Sequence, residues 1–114
     1  MTRFTDALRG YAYPIHQRDG FRCVYCGLDG SQWPNWLFLS QDHLLPPGNP
    51  RREEQSYRVT ACRFCNESAN RTSYDVEGRS PEEIIAMKKA VILKVREAYQ
   101  QFWRENVECQ GLPK

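Results

Sequence analysis

Apolar and polar positions divide this chain into stretches of different period. In the last third, Ile84, Met87, Val91, Val95, Ala98 and Phe102 recur every three or four residues, and Ile85, Ile92, Tyr99 and Trp103 widen the stripe. That period predicts an amphipathic helix of about seven turns over residues 80–108. Ser80-Pro81-Glu82-Glu83 is a helix start: a capping hydroxyl, a proline at the first position and acids at the positive dipole end. The stripe is expected to pack on the rest of the domain, with a homodimer through this helix as the alternative to a monomer. Earlier stretches are shorter. Residues 36–42, WLFLSQD, predict a strand and residues 58–61, RVTA, a second one. A short helix is expected before the Asp19-Gly20 turn and another over residues 66–71. Between His43 and Tyr57, Pro46, Pro47, Gly48, Asn49 and Pro50 forbid regular structure and predict a long loop. The expected class is α+β, with residues 1–114 forming a single domain.

Composition narrows the class. With 114 residues there is room for one core, and 40% hydrophobic with 26% charged residues excludes a low-complexity or wholly disordered chain. No apolar run approaches the ~20 residues of a membrane helix. The first residues, MTRFTDALRGYAYP, lack the apolar centre of a secretory signal. A cytoplasmic protein with no membrane partner is therefore expected. Net charge is only +2, so charge alone does not announce nucleic acid.

Cysteine usage is more specific. Four of the five cysteines form two Cys-x-x-Cys pairs, Cys23/Cys26 and Cys62/Cys65, separated by residues 27–61. Each pair can present two sulfurs on one side of a tight turn, and two pairs complete a four-thiolate Zn²⁺ shell. Two disulfides are the competing reading, which the reducing cytosol disfavours. A closed thiolate shell leaves no open coordination position, so this zinc is expected to be structural. Cys109 stands apart, without an assigned role.

Asp42-His43 follows the first predicted strand. A carboxylate can bind a divalent metal, and an imidazole with a pKa near ~6.5 can act as a general base. In a strand the two would face opposite ways unless the strand ends there. Alone, this dipeptide reads as a surface pair at a strand end. Its position between the cysteine pairs changes that. RDGFRCVYCG (18–27), QDHLLP (41–46) and RVTACRFCN (58–66), in this order and spacing, resemble the zinc-containing HNH endonuclease family over about residues 11–71. The resemblance implies a ββα-metal core and hydrolysis of DNA phosphodiester bonds. It implies that His43 is the general base, and that Asp42 and Asn66 bind a catalytic Mg²⁺ or Mn²⁺. The long helix would then pack on this core.

One position departs from that pattern. Tyr57 stands where the family's middle Asn ties the loop to the backbone and holds the His. Asn49 in the same loop is a candidate substitute. Asn70, four residues after Asn66, is a second candidate ligand or a solvated helix residue. His16 is read as a packing or helix-surface residue. Arg51, Arg52, Arg63 and Arg71 flank the site in sequence and are candidate DNA-phosphate contacts. Trp33, Trp36 and Phe38 are expected to pack rather than stack on bases. Two rival functions stand beside the nuclease: an inert zinc-binding nucleic-acid module, suggested by Tyr57, and a protein–protein adaptor, suggested by the long striped helix.

Overall fold

The structure, a computed structural model, describes residues 6–111. Helix α1 spans Tyr13–Arg18, with a proline in its first turn. Strands β1 (Leu39–His43) and β2 (Arg58–Cys62) pair antiparallel, Leu39 opposite Cys62 and His43 opposite Arg58. Helix α2, Arg63–Ala69, follows β2 directly and touches both strands. Helix α3, Pro81–Asn106, is followed by a 3₁₀ turn at Glu108–Gln110. The architecture is a small α+β fold: a two-stranded sheet, flanking short helices and one long C-terminal helix.

Several boundaries differ from the sequence expectation, β1 and β2 each running one residue further, to His43 and Cys62. The strand expected over 36–42 begins only at Leu39, because residues 35–38 form a 3₁₀ turn in which the Leu37 N–H donates to the Pro34 carbonyl at 3.0 Å. The helix expected over 66–71 runs over Arg63–Ala69 instead. Its cap is Cys62, whose sulfur accepts the Cys65 N–H at 3.4 Å, so the knuckle itself starts the helix. The long helix ends two residues earlier than expected. Its start holds as read: Ser80 accepts from the Glu83 N–H at 3.2 Å and Glu83 returns to the Ser80 N–H at 3.1 Å.

Sheet alternation sorts the two faces. Thr60 and Gln41 are partners in the ladder and share one face. There Thr60 meets His16 of α1, whose Nδ1 lies 2.7 Å from the Thr60 hydroxyl in full burial. His16 is therefore a packing residue. Burial lowers its pKa below the ordinary value, the Asp19 charge opposing the shift. The opposite face, carrying Ser40, Asp42, Val59 and Ala61, meets α2 and α3. Ile84 and Ile92 seal that side, both buried in the same core as Val59 and Ala61.

Only the first half of α3 is covered. Its buried positions are Ile84, Lys88 and Ile92, one step per turn on a single line. Beyond Ile92 the apolar stripe is open: Tyr99, Phe102 and Trp103 are 52%, 62% and 43% exposed. The expectation that the whole helix packs on the core thus holds for its N-terminal half only. A radius of gyration of 15.9 Å records the projection, against about 13 Å for a compact chain of about 100 residues. Trp33 and Phe38 are also exposed, contrary to the expectation that they pack. The 3₁₀ turn carries Phe38 outward. No helix among the described residues is long and apolar enough to cross a membrane.

The two halves of α3 should respond differently to truncation. Ile92→Ala should cost about 2–5 kcal/mol in urea unfolding, as a fully buried side chain does. Trp103→Ala should cost less than about 1 kcal/mol. Equal losses at both positions would contradict the exposure of the distal half.

Candidate functional site

Two side-chain clusters stand out, and the knuckle joins them. In the first, the turn after Cys23 is closed by the Gly27 N–H on the Cys23 carbonyl at 2.9 Å, with Gly27 at φ +81°, where a side chain is disfavoured. This turn and the β2–α2 junction bring Cys23, Cys26, Cys62 and Cys65 together, their sulfurs all within 4.8 Å of one another. Cys26 Sγ and Cys62 Sγ are 3.8 Å apart. A tetrahedral ion with metal–sulfur bonds of ~2.3 Å has edges of about 3.8 Å. All four thiols are free, so the two-disulfide reading is not the one formed. The group can hold a metal ion such as zinc. Hydrogen bonds from Cys26, Cys62 and Cys65 push the Cys23 thiol well down, whereas Cys65 is pushed up, chiefly by Cys23. A cation bound by the four sulfurs would displace their protons. Cys109 lies elsewhere, exposed, donating to the Glu105 carbonyl.

The second cluster centres on Asp42, 1% exposed near the end of β1. Its carboxylate accepts the Tyr25 hydroxyl at 2.5 Å on Oδ2 and the Asn70 amide at 3.0 Å on Oδ1. Lys88 Nζ lies 3.2 and 3.1 Å from the two oxygens. The same ammonium donates toward the His43 carbonyl at 3.1 Å and Asn70 Oδ1 at 3.3 Å. This is a buried ion pair, with side chains 3% and 1% exposed. Burial and the Asp42 charge together push the Tyr25 hydroxyl far up, so it stays a proton donor.

Asn66 joins through Asn70. The Asn70 amide nitrogen lies 2.7 Å from Asn66 Oδ1 as well as 3.0 Å from Asp42 Oδ1. The oxygens of Asp42 and Asn66 therefore converge on one point. The Asn66 amide nitrogen is anchored to β1 by Ser40 Oγ at 3.0 Å and the Gln41 carbonyl at 3.3 Å.

His43 ends β1 and, by alternation, points to the other face from Asp42. Its Nε2 lies 3.0 Å from Glu53 Oε1 in the long loop. A carboxylate only accepts, so Nε2 carries a proton, and in the neutral ring Nδ1 is the nitrogen with the lone pair. The hydrogen bond from His43 holds the Glu53 carboxyl below its ordinary range. A cavity of about 190 Å³ is bordered by His43, Pro46, Asn70, Tyr74 and Lys88.

Tyr57 does not stand in for an Asn side chain. Its backbone carbonyl accepts the Leu44 N–H at 2.8 Å, which extends the ladder past His43. Its hydroxyl reaches the Arg79 carbonyl at 3.4 Å and its ring carries Arg51 at 4.9 Å. Asn49 stays in its own loop, accepting the Arg51 N–H. The four flanking arginines divide. Arg51 pairs with Glu54 and Arg52 with Glu53, while Arg63 and Arg71 are exposed with no ion pair among the described residues.

Sequence reasoning missed Lys88, Tyr25 and Glu53. Lys88 carried a signal: it lies four residues from both Ile84 and Ile92, on the stripe. Tyr25 lies inside the first knuckle, and nothing in the sequence marks Glu53. Compared with known proteins, no family model, no curated protein and no solved structure matches this chain.

Metal analysis tests the thiol cluster. Elemental analysis of protein purified without chelator should give about one metal ion per chain, and stripping it should lower the melting temperature, as should Cys65→Ser. Two oxidised disulfides in the purified protein would contradict a metal site.

Proposed function

We propose that this chain is a nucleic-acid phosphodiester hydrolase of the HNH type, built on a structural Zn²⁺ in the Cys23/Cys26/Cys62/Cys65 group. The observation that carries the reading is the placement, at the end of β1, of an oriented imidazole on one face and of converging carboxylate and amide oxygens on the other. The oxygens of Asp42 and Asn66 meet at the Asn70 nitrogen, and an oxygen-only donor set suits Mg²⁺ or Mn²⁺. The residues fit such a cation, provided that Lys88 and Asn70 yield the position. A divalent ion held by Asp42 and Asn66 would supply charge neutralisation to the scissile phosphate and the leaving oxygen.

The protein's own groups do the rest. Glu53 fixes the tautomer of His43, and Nδ1 takes a proton from the attacking water. Glu53 also stabilises the imidazolium that results. Arg63 and Arg71, with no carboxylate partner among the described residues, draw the phosphate backbone toward the site; Arg51 and Arg52 reach it only by leaving Glu54 and Glu53. DNA is the proposed substrate, on the strength of the motif order. A second reading, an inert zinc-binding nucleic-acid module, is favoured by the Lys88–Asp42 pair, since it gives Asp42 a purely structural reason to be there.

Plasmid nicking separates the two. Zinc-loaded protein with Mg²⁺ or Mn²⁺ should nick supercoiled DNA, and His43→Ala should reduce the rate by about 10²-fold or more, the scale of a lost general base. Binding of DNA without cleavage in either metal would favour the inert module, and cleavage surviving His43→Ala would overturn the role given to His43.

A further inference from the structure

Lys88 is a basic side chain, 2% exposed, held entirely by groups of the candidate site. Four oxygens surround its nitrogen at 3.1–3.3 Å: both of Asp42, the His43 carbonyl and Asn70 Oδ1. The Tyr74 ring lies on a further side, 5.6 Å from its centroid to Nζ. An ammonium has three N–H donors. With four oxygens and three N–H groups, one N–H is shared, as across the two Asp42 oxygens, and every side of the ammonium that is hydrogen-bonded faces oxygen. Oxygens gathered about a cation are what a hard metal ion also requires.

We propose that Lys88 is a tethered cation of this site, and that its ammonium and a divalent metal ion exclude one another at Asp42. This deepens the hydrolase reading, since it rests on Asp42 being the cation ligand named there. The exclusion follows from distance and charge. Mg²⁺ binds oxygen at ~2.0–2.1 Å. An ion at that range from Asp42 would face the ammonium across the same carboxylate, in a buried setting where like charges repel strongly. Lys88 has a flexible four-carbon stem rooted on α3, so it can withdraw without moving the sheet. With the ammonium in place, Asp42 stays neutralised and buried. With the ammonium withdrawn, the carboxylate is free to take the metal. Lys88 thereby sets how much metal is needed to load the site.

The test measures occupancy rather than cleavage. Zinc-loaded full-length protein is titrated with Mn²⁺, free ion being read by electron paramagnetic resonance, for wild type and Lys88→Met. The variant should bind at least about tenfold more tightly, because the competing charge is gone. Asp42→Asn should abolish that binding. Equal affinity in wild type and Lys88→Met, or no binding to either, overturns the proposal. Because Lys88→Met leaves a buried carboxylate unpaired and the variant can fail to fold, ¹⁵N spectra of the wild-type lysine ammonium groups give a second arm. The slowly exchanging Lys88 signal should be lost on Mg²⁺ addition; a signal unchanged at saturating Mg²⁺ overturns the proposal. Tighter Mn²⁺ binding by the variant with no nicking by wild type would leave Lys88 in this role and remove the hydrolase reading instead.

Discussion

A carboxylate taken out of water must be paired, and Asp42 sits 1% exposed where the first cysteine knuckle, the end of α2 and α3 meet β1. Tyr25 reaches it from the first cysteine knuckle, Asn70 from the end of α2 and Lys88 from the core-facing line of α3. Among the described residues, no other β1 side chain is hydrogen-bonded to three separate parts of the chain. Leaving one charge of such a pair buried alone costs about 3–5 kcal/mol, a large part of a small domain's stability. The packing of α3 follows from it: Ile84 and Ile92 lie one turn to either side of Lys88, so the ion pair and the apolar contacts fix the same helix face.

The thiol cluster acts on the same point from the other side. Its two pairs clamp the first knuckle to the β2–α2 junction. The Val24 N–H donates to the Thr60 carbonyl at 3.0 Å and so docks the knuckle on β2. Tyr25, the next residue, is then aimed at Asp42. A metal held by the four sulfurs would contribute folding energy and, through Tyr25, would also fix the Asp42 carboxylate. The thiol cluster and the Asp42 cluster are thus joined mechanically through Tyr25.

Much of this was legible in the sequence. The cysteine spacing brought out the thiol group, and Ser80-Pro81-Glu82-Glu83 marked the start of α3, because both depend on chemistry within a few residues. Alternation put Asp42 and His43 on different faces. What escaped depends on partners distant along the chain. Lys88 lies forty-six residues from Asp42 and donates to both its oxygens, and a lysine on a helix is ordinarily a solvated residue. The open stripe of Tyr99, Phe102 and Trp103 was unreadable for a related reason. Helical period shows which face is apolar, but not how far the neighbouring core extends to cover it. The role of Glu53 rests on the path of a proline-rich loop that no periodicity describes.

The most direct test of Asp42 as the organising contact is a double-mutant cycle in urea with Asp42→Asn, Lys88→Met and the two combined. Each single change should be strongly destabilising, and the double should lose markedly less than their sum, giving a coupling of at least about 2 kcal/mol. Additive losses within about 0.5 kcal/mol would show two independent residues and contradict the account.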